Sequence, residues 1–224
     1  MFTVTIPRQI LSAVSHFKAK NDIRHYLNGV KVEAYANVAY VVATDGCALC
    51  AGKVERAEHW EMQGQGETII PGELVEKIKA KGNNGLPLVL SVSDSGEITL
   101  TDCGTKTTAQ AIDGSFPDWR RIIPRNPSGE SANFNPEYLM LCYKASQDLG
   151  KKLGYFDFAQ NGQSAALANL RDDVLAVVMP MRGEPATLPE WVDVNPEGFG
   201  RESDLDKAWD EAIAQYADEL AIAA

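Results

Sequence analysis

Apolar residues along this chain change period in a recurring order. A short strand-like run meets a proline, helical spacing follows, and runs with a two-residue period come after. The signal reads "TVTIPRQIL" around Pro7, "ETIIPGELV" around Pro71 and "ANFNPEYLM" around Pro136, with the prolines 64 and 65 residues apart. Beyond each proline the apolar positions fall on one helical face: Ile10, Val14 and Phe17; Leu74 and Ile78; Leu139, Cys142 and Tyr143. Proline has a helix-compatible φ and no N–H to satisfy, so it suits the first helical position, and each signal predicts strand followed by helix.

The stretches "GVKVEAYANVAYVVATDG", "LPLVLSVSDSGEITLTDCGTKTTAQAIDG" and "GYFDFAQNGQSAALANLRDDVLAVVMPM" then alternate or run apolar between turn residues, as antiparallel strands joined by hairpins do. The unit is a strand, a helix and about three strands, and it occurs three times. A period above about 50 residues exceeds that of most solenoids, which points to duplication within globular domains. The expected fold class is α+β, with antiparallel sheets and helices on one face. Expected boundaries are a two-repeat domain at 1–116, a linker at 117–130, a third repeat at 131–182 and a tail at 183–224.

With 224 residues, 45% of them apolar, the chain can bury a substantial core. No apolar run approaches the roughly 18 residues of a membrane span, and "MFTVTIPRQI" lacks a secretory pattern, so a cytoplasmic protein is expected. Cys47, Cys50, Cys103 and Cys142 are then expected to stay thiols. The net charge of −10 is unevenly placed: up to Arg182 there are 19 Lys and Arg against 20 Asp and Glu, and beyond it 2 against 11. The predicted helices are the basic part of the body. They carry Arg8, Lys18 and Lys20; Lys77, Lys79 and Lys81; and Lys144, Lys151 and Lys152. Any one of them reads as a solvated face. Three equivalent helices with the same bias predict a weakly positive surface that meets duplex DNA through phosphates, without base readout.

Catalytic chemistry finds little support. His16, His25 and His59 have no metal-ligand spacing, and the Cys47–Cys50 pair lies within a hairpin rather than at the start of a helix. No phosphate-binding glycine loop occurs. Neither a cofactor nor a metal is expected, and no enzymatic activity.

In order along the chain, "DIRHYLNGVKVEA", "VVATDGCALC", "IIPGELVEKIKA", "IDGSFPDWRRIIPRNP", "NPEYL" and "VVMPMR" resemble the bacterial replicative sliding clamp, the beta subunit of DNA polymerase III. The resemblance covers about Thr3 to Arg182. It implies a DNA-clamp-like fold in which the first two repeats correspond to a clamp's middle domain and the third to the second half of its last domain. It also implies a role as a replication or repair accessory protein. A hydrophobic pocket would receive linear peptide motifs of DNA polymerases, clamp loader or repair proteins. Its residues would be Leu27, Thr44, Gly46, Cys47, Ala48, Leu49, Pro117, Arg121, Ile122, Val178, Met179, Pro180 and Met181. Taken alone, Met179 and Met181 read as core. Under the resemblance their flexible thioethers read as an adaptable pocket wall, with Pro180 keeping that wall out of a strand. The alternative function is an adaptor or decoy that binds the same peptides without encircling DNA.

An odd number of repeats leaves the third without a partner, so either a homo-oligomer joined through third repeats or coverage by the tail is expected. In the tail, Ser203 is a candidate N-cap. Leu205, Trp209, Ile213, Tyr216 and Leu220 predict an amphipathic acidic C-terminal helix.

Overall fold

The first repeat runs β1 (Phe2–Ile6), α1 (Arg8–Ser15), β2 (Gly29–Ala34), β3 (Val38–Thr44) and β4 (Ala48–Glu55) in the computed structural model. A short β5 (Met62–Gln63) leads to the second repeat: β6 (Gly66–Pro71), α2 (Gly72–Lys79), β7 (Leu88–Val92), β8 (Glu97–Asp102) and β9 (Thr105–Gln110). The third comprises α3 (Pro136–Asp148), β10 (Asp157–Ala159), β11 (Ala166–Arg171) and β12 (Val174–Val178), and its opening strand is reduced to a single bridge between Asn133 and Met181. The structure describes residues 1–79, 86–151 and 155–183, with Thr187 and Pro189. Met1–Glu184 forms one compact unit and Pro185–Ala224 another. The predicted tail helix, with the side chains of Lys79, Lys81 and Lys152, lies outside the described residues.

Local chemistry explains the helix starts. Asn135 caps α3 by accepting a 3.0 Å hydrogen bond from the Glu137 N–H, and Pro136 occupies the first turn as expected. Pro7 and Pro71 instead stand one residue ahead of their helices. Helix α1 ends at Ser15, short of the charged residues that follow, because the chain turns through a 3.0 Å bond from the Phe17 N–H to the Val14 carbonyl. No helix among the described residues is long and apolar enough to cross a membrane.

All strand pairs are antiparallel and form two sheets, ordered β5-β1-β7-β8-β9 and β10-β11-β12-β4-β3-β2-β6. The opening strands are exchanged: β1 of the first repeat pairs with β7 of the second, and β6 of the second pairs with β2 of the first. The third repeat extends the seven-stranded sheet through β12, whose Val174 and Val178 lie opposite Gly52 and Ala48 of β4.

Alternation sorts the seven-stranded sheet into two apolar faces. Val32, Val41, Cys50, Ala176 and Val178 belong to the main core, together with Ile10, Val14, Leu74, Cys142 and Ala145 of the three helices. Val42, Leu49, Ile69 and Val177 face the other way, under Leu27, Phe116 and Trp119. Gly52 is needed where α1 crosses β4, since a Cβ there would lie 2.4 Å from Ile10 Cγ2.

Two of the expected DNA-facing cations are not on the surface. Arg8 is buried in an ion pair with Asp102 of β8, and Lys18 is largely covered, its Nζ 3.2 Å from Glu76 Oε1. Both side chains are amphipathic enough to bury their stems, and each finds an acidic partner on the second repeat.

Candidate functional site

The candidate site is the seam where β12 joins β4, on the sheet face away from the helices. Its floor is a shaped turn. Thr44 Oγ1 donates to the Ala48 carbonyl (2.7 Å) and accepts from the Gly46 N–H, while Asp45 Oδ1 accepts from the N–H groups of Cys47 and Ala48, both at 2.8 Å. Gly46 has φ +98°, a backbone conformation that other residues rarely adopt, so the glycine of "TDG" is a conformational requirement. Arg24 reaches the Asp45 carbonyl at 3.1 Å and is held by Asp22, whose carboxyl the Arg24 hydrogen bonds lower to about 2.

The Met179 N–H donates to the Cys47 carbonyl at 2.9 Å, which hangs the segment after β12 directly on this turn. There Met179 and Met181 are 42% and 56% exposed, with the half-buried Pro180 between them. Just before them, Val177 lies opposite Leu49, and both are buried in the outer cluster with Leu27 and Trp119. Tyr138, on the first turn of α3, lies beside the Cys47 thiol. The Cys47 thiol, then burial and the Asp45 charge, push its hydroxyl well above the ordinary tyrosine range.

Of the thirteen residues expected here, Thr44, Gly46 and Cys47 form the turn from which Met179 hangs, Pro180 and Met181 follow it, and Leu27 and Leu49 are buried in the outer cluster. Ala48 and Val178 are buried on the helix side instead, and Val177, not Val178, lies opposite Leu49. The period of two in "VLAVV" carries that distinction, because neighbours on a strand face opposite ways. Pro117, Arg121 and Ile122 are exposed on the connection after β9.

That connection is fixed to the sheet by a polar cluster which sequence reasoning passed over. Trp119 Nε1 donates to Glu33 Oε1 at 3.2 Å, Arg120 lies 2.8 Å from Glu33 Oε2, and Lys31 Nζ lies 3.2 Å from Glu33 and 2.9 Å from Glu67. The Arg120 guanidinium also covers the rings of Trp119 and Tyr40, 4.2 and 4.8 Å from their centroids. Burial opposes ionisation of Glu33, but Arg120 and Lys31 outweigh it and hold the carboxyl below its usual 4.5. A cleft of about 580 Å³ lies away from the seam, lined by Lys31, Glu67, Thr68, Gln110 and Phe116 among others.

The model of the DNA polymerase III beta subunit, central domain, matches residues 4–118, the first two repeats and the start of the connection. The chain belongs to the DNA polymerase III beta-subunit family. The beta sliding clamp of Haemophilus influenzae is 31% identical over 121 residues, covering 53% of this chain and 32% of that clamp. The beta sliding clamp of Escherichia coli K12 is 28% identical over 121 residues, with 54% and 32% covered. The chain thus spans about a third of the length of the curated relatives it matches. Among solved structures, the polymerase III beta subunit of Pseudomonas aeruginosa aligns over 81% of this chain and 67% of its own, with a TM-score of 0.64 and 21% identity. That of Thermotoga maritima gives 0.66 at 15% identity, covering 82% and 66%. Their coverage exceeds the span 4–118, so the likeness to the clamp fold reaches beyond the first two repeats.

Lys20, Lys77 and Lys144 are exposed, and Lys151 is half-buried with its Nζ 4.8 Å from the Tyr155 ring centroid. These four are what the described residues retain of the expected basic helix surface.

Proposed function

We propose that this member of the beta-subunit family is a cytoplasmic, non-enzymatic replication or repair accessory protein. Its seam binds short linear peptides of DNA polymerases, clamp loaders or repair factors. One observation carries the reading: two methionines are left exposed on either side of a proline, pinned by the Met179–Cys47 backbone bond at the end of the strand that carries the buried Val177. Unbranched thioethers adapt to varied apolar anchors, and a site built on adjacent sheet strands binds without reorganising. Peptides of the clamp-binding kind are expected to bind at about 1 µM, roughly −8 kcal/mol. Met179→Asp combined with Met181→Asp abolishes that binding in titration calorimetry while the circular dichroism stays unchanged. Unaltered affinity in the double variant removes the seam from consideration.

The burial of Arg8 and Lys18 favours a second reading, the adaptor that holds peptides without encircling DNA, because it thins the basic surface. Retention on nicked circular DNA, lost on linearisation, supports encirclement. Equal retention on both forms, or none on either, supports the adaptor.

A further inference from the structure

The first two repeats form a closed pair, and the third repeat carries the parts of such a pair with one half absent from its own fold. The correspondence can be fixed residue by residue. Val4 of β1 lies opposite Met62, and Asn133, placed identically before its proline, lies opposite Met181. In the closed pair, β2 is flanked by β6, supplied by the other repeat. Its counterpart β10 ends the seven-stranded sheet, with no strand on its outer edge among the described residues. Leu11 and Val75 stand four residues after Pro7 and Pro71 and are 1% and 0% exposed. Met140, four residues after Pro136, is 48% exposed. Val14 is fully buried, whereas Tyr143 in the same position of α3 is 39% exposed.

Charge identifies the occupant. In the closed pair, Arg8 at the start of α1 is ion-paired with Asp102, the last residue of β8 before its hairpin. The equivalent residues of the third repeat are Glu137 at the start of α3 and Arg171, the last residue of β11 before its hairpin. The pair is present with its signs exchanged, and within one chain it is not made: Arg171 bonds Asp173 and Gln9. A two-fold axis between two third repeats brings Glu137 of each copy to Arg171 of the other and continues the interface already built between the first two repeats.

We infer that the open face of the third repeat is a self-association surface. Two copies of this chain join through α3 and the β10 edge, completing a third two-repeat unit.

Sedimentation equilibrium of the full chain is expected to give twice the 24.4 kDa of one copy. Met140→Glu combined with Tyr143→Glu should return it to one copy with an unchanged melting profile. Glu137→Arg alone should weaken the dimer at least tenfold, and adding Arg171→Glu in the same chain should restore it, an outcome that mere damage to the fold cannot produce. A monomer at high concentration overturns the inference and leaves the tail as the occupant. A dimer indifferent to Met140, Tyr143 and Glu137 places the contact elsewhere and overturns it equally. Peptide affinity measured on the same variants reports separately on the seam, so either reading can fail alone.

Discussion

Helices α1 and α3 open on similar proline signals, yet one is sealed and the other is half bare. Helix α1 is enclosed because it has a helix on each side, α2 of the second repeat and α3 of the third, over β2, β3 and β4, and Asp102 of β8 neutralises Arg8. Helix α3 has the same scaffold under one side and open solvent over Met140 and Tyr143. An α-helix stripe can therefore be apolar for two reasons, to fill a core or to meet a partner, and the difference lies in the neighbour and not in the helix.

Removing the Arg8 side chain is the severest way to break this contrast. Arg8→Ala strands a buried carboxylate at Asp102 and is expected to cost about 3–5 kcal/mol in urea unfolding. Glu137→Ala should leave the stability of the isolated chain unchanged. Truncating the packed positions comes next: Leu11→Ala should cost about 2–5 kcal/mol, and Met140→Ala about 0.5 kcal/mol, at concentrations low enough to keep copies apart. Equal losses at the two sites would show that α3 is packed as α1 is.

Acid should loosen the connection between the second and third repeats before it loosens the core. The folded Glu33 carboxyl titrates below its usual 4.5, so its contribution is fully present above that value and is lost as pH falls through the lower, folded one. Trp119 fluorescence should report the release, and Glu33→Gln should remove that acid transition. The smallest effect expected concerns DNA. Lys20→Ala should lower the slope of log affinity against log salt by about 0.9, as loss of one phosphate contact does, whereas Lys18→Ala should leave it unchanged.

The repeats were legible because their signals are local: a proline, a helical stripe, a turn. Strand exchange was not, since nothing near β1 indicates that its partner is β7 and not β2. Arg8 was misread for the same reason. Its positive charge is visible in sequence, but its partner lies 94 residues away, and only the fold decides that it points inward. At the seam, residue types and segments were legible and facing was not. Val178 was chosen where the pleat presents Val177, and Tyr138 and Glu33 act through distant partners that no short motif contains.

The ladder between β4 and β12 also sets an order of events during synthesis. Ala48 and Val178 pair across 130 residues of chain, while Ile6 and Leu88, which join the first two repeats, are 82 apart. Closing the longer loop carries the greater entropic cost, and a chain emerging from the ribosome presents β7 to β1 long before it presents β12 to β4. Through that interval β4 is a bare edge able to recruit any passing strand. A slow refolding phase confined to the β4–β12 amides in pulse-labelled hydrogen exchange would be its signature, and the seam would be the last part of the molecule to form.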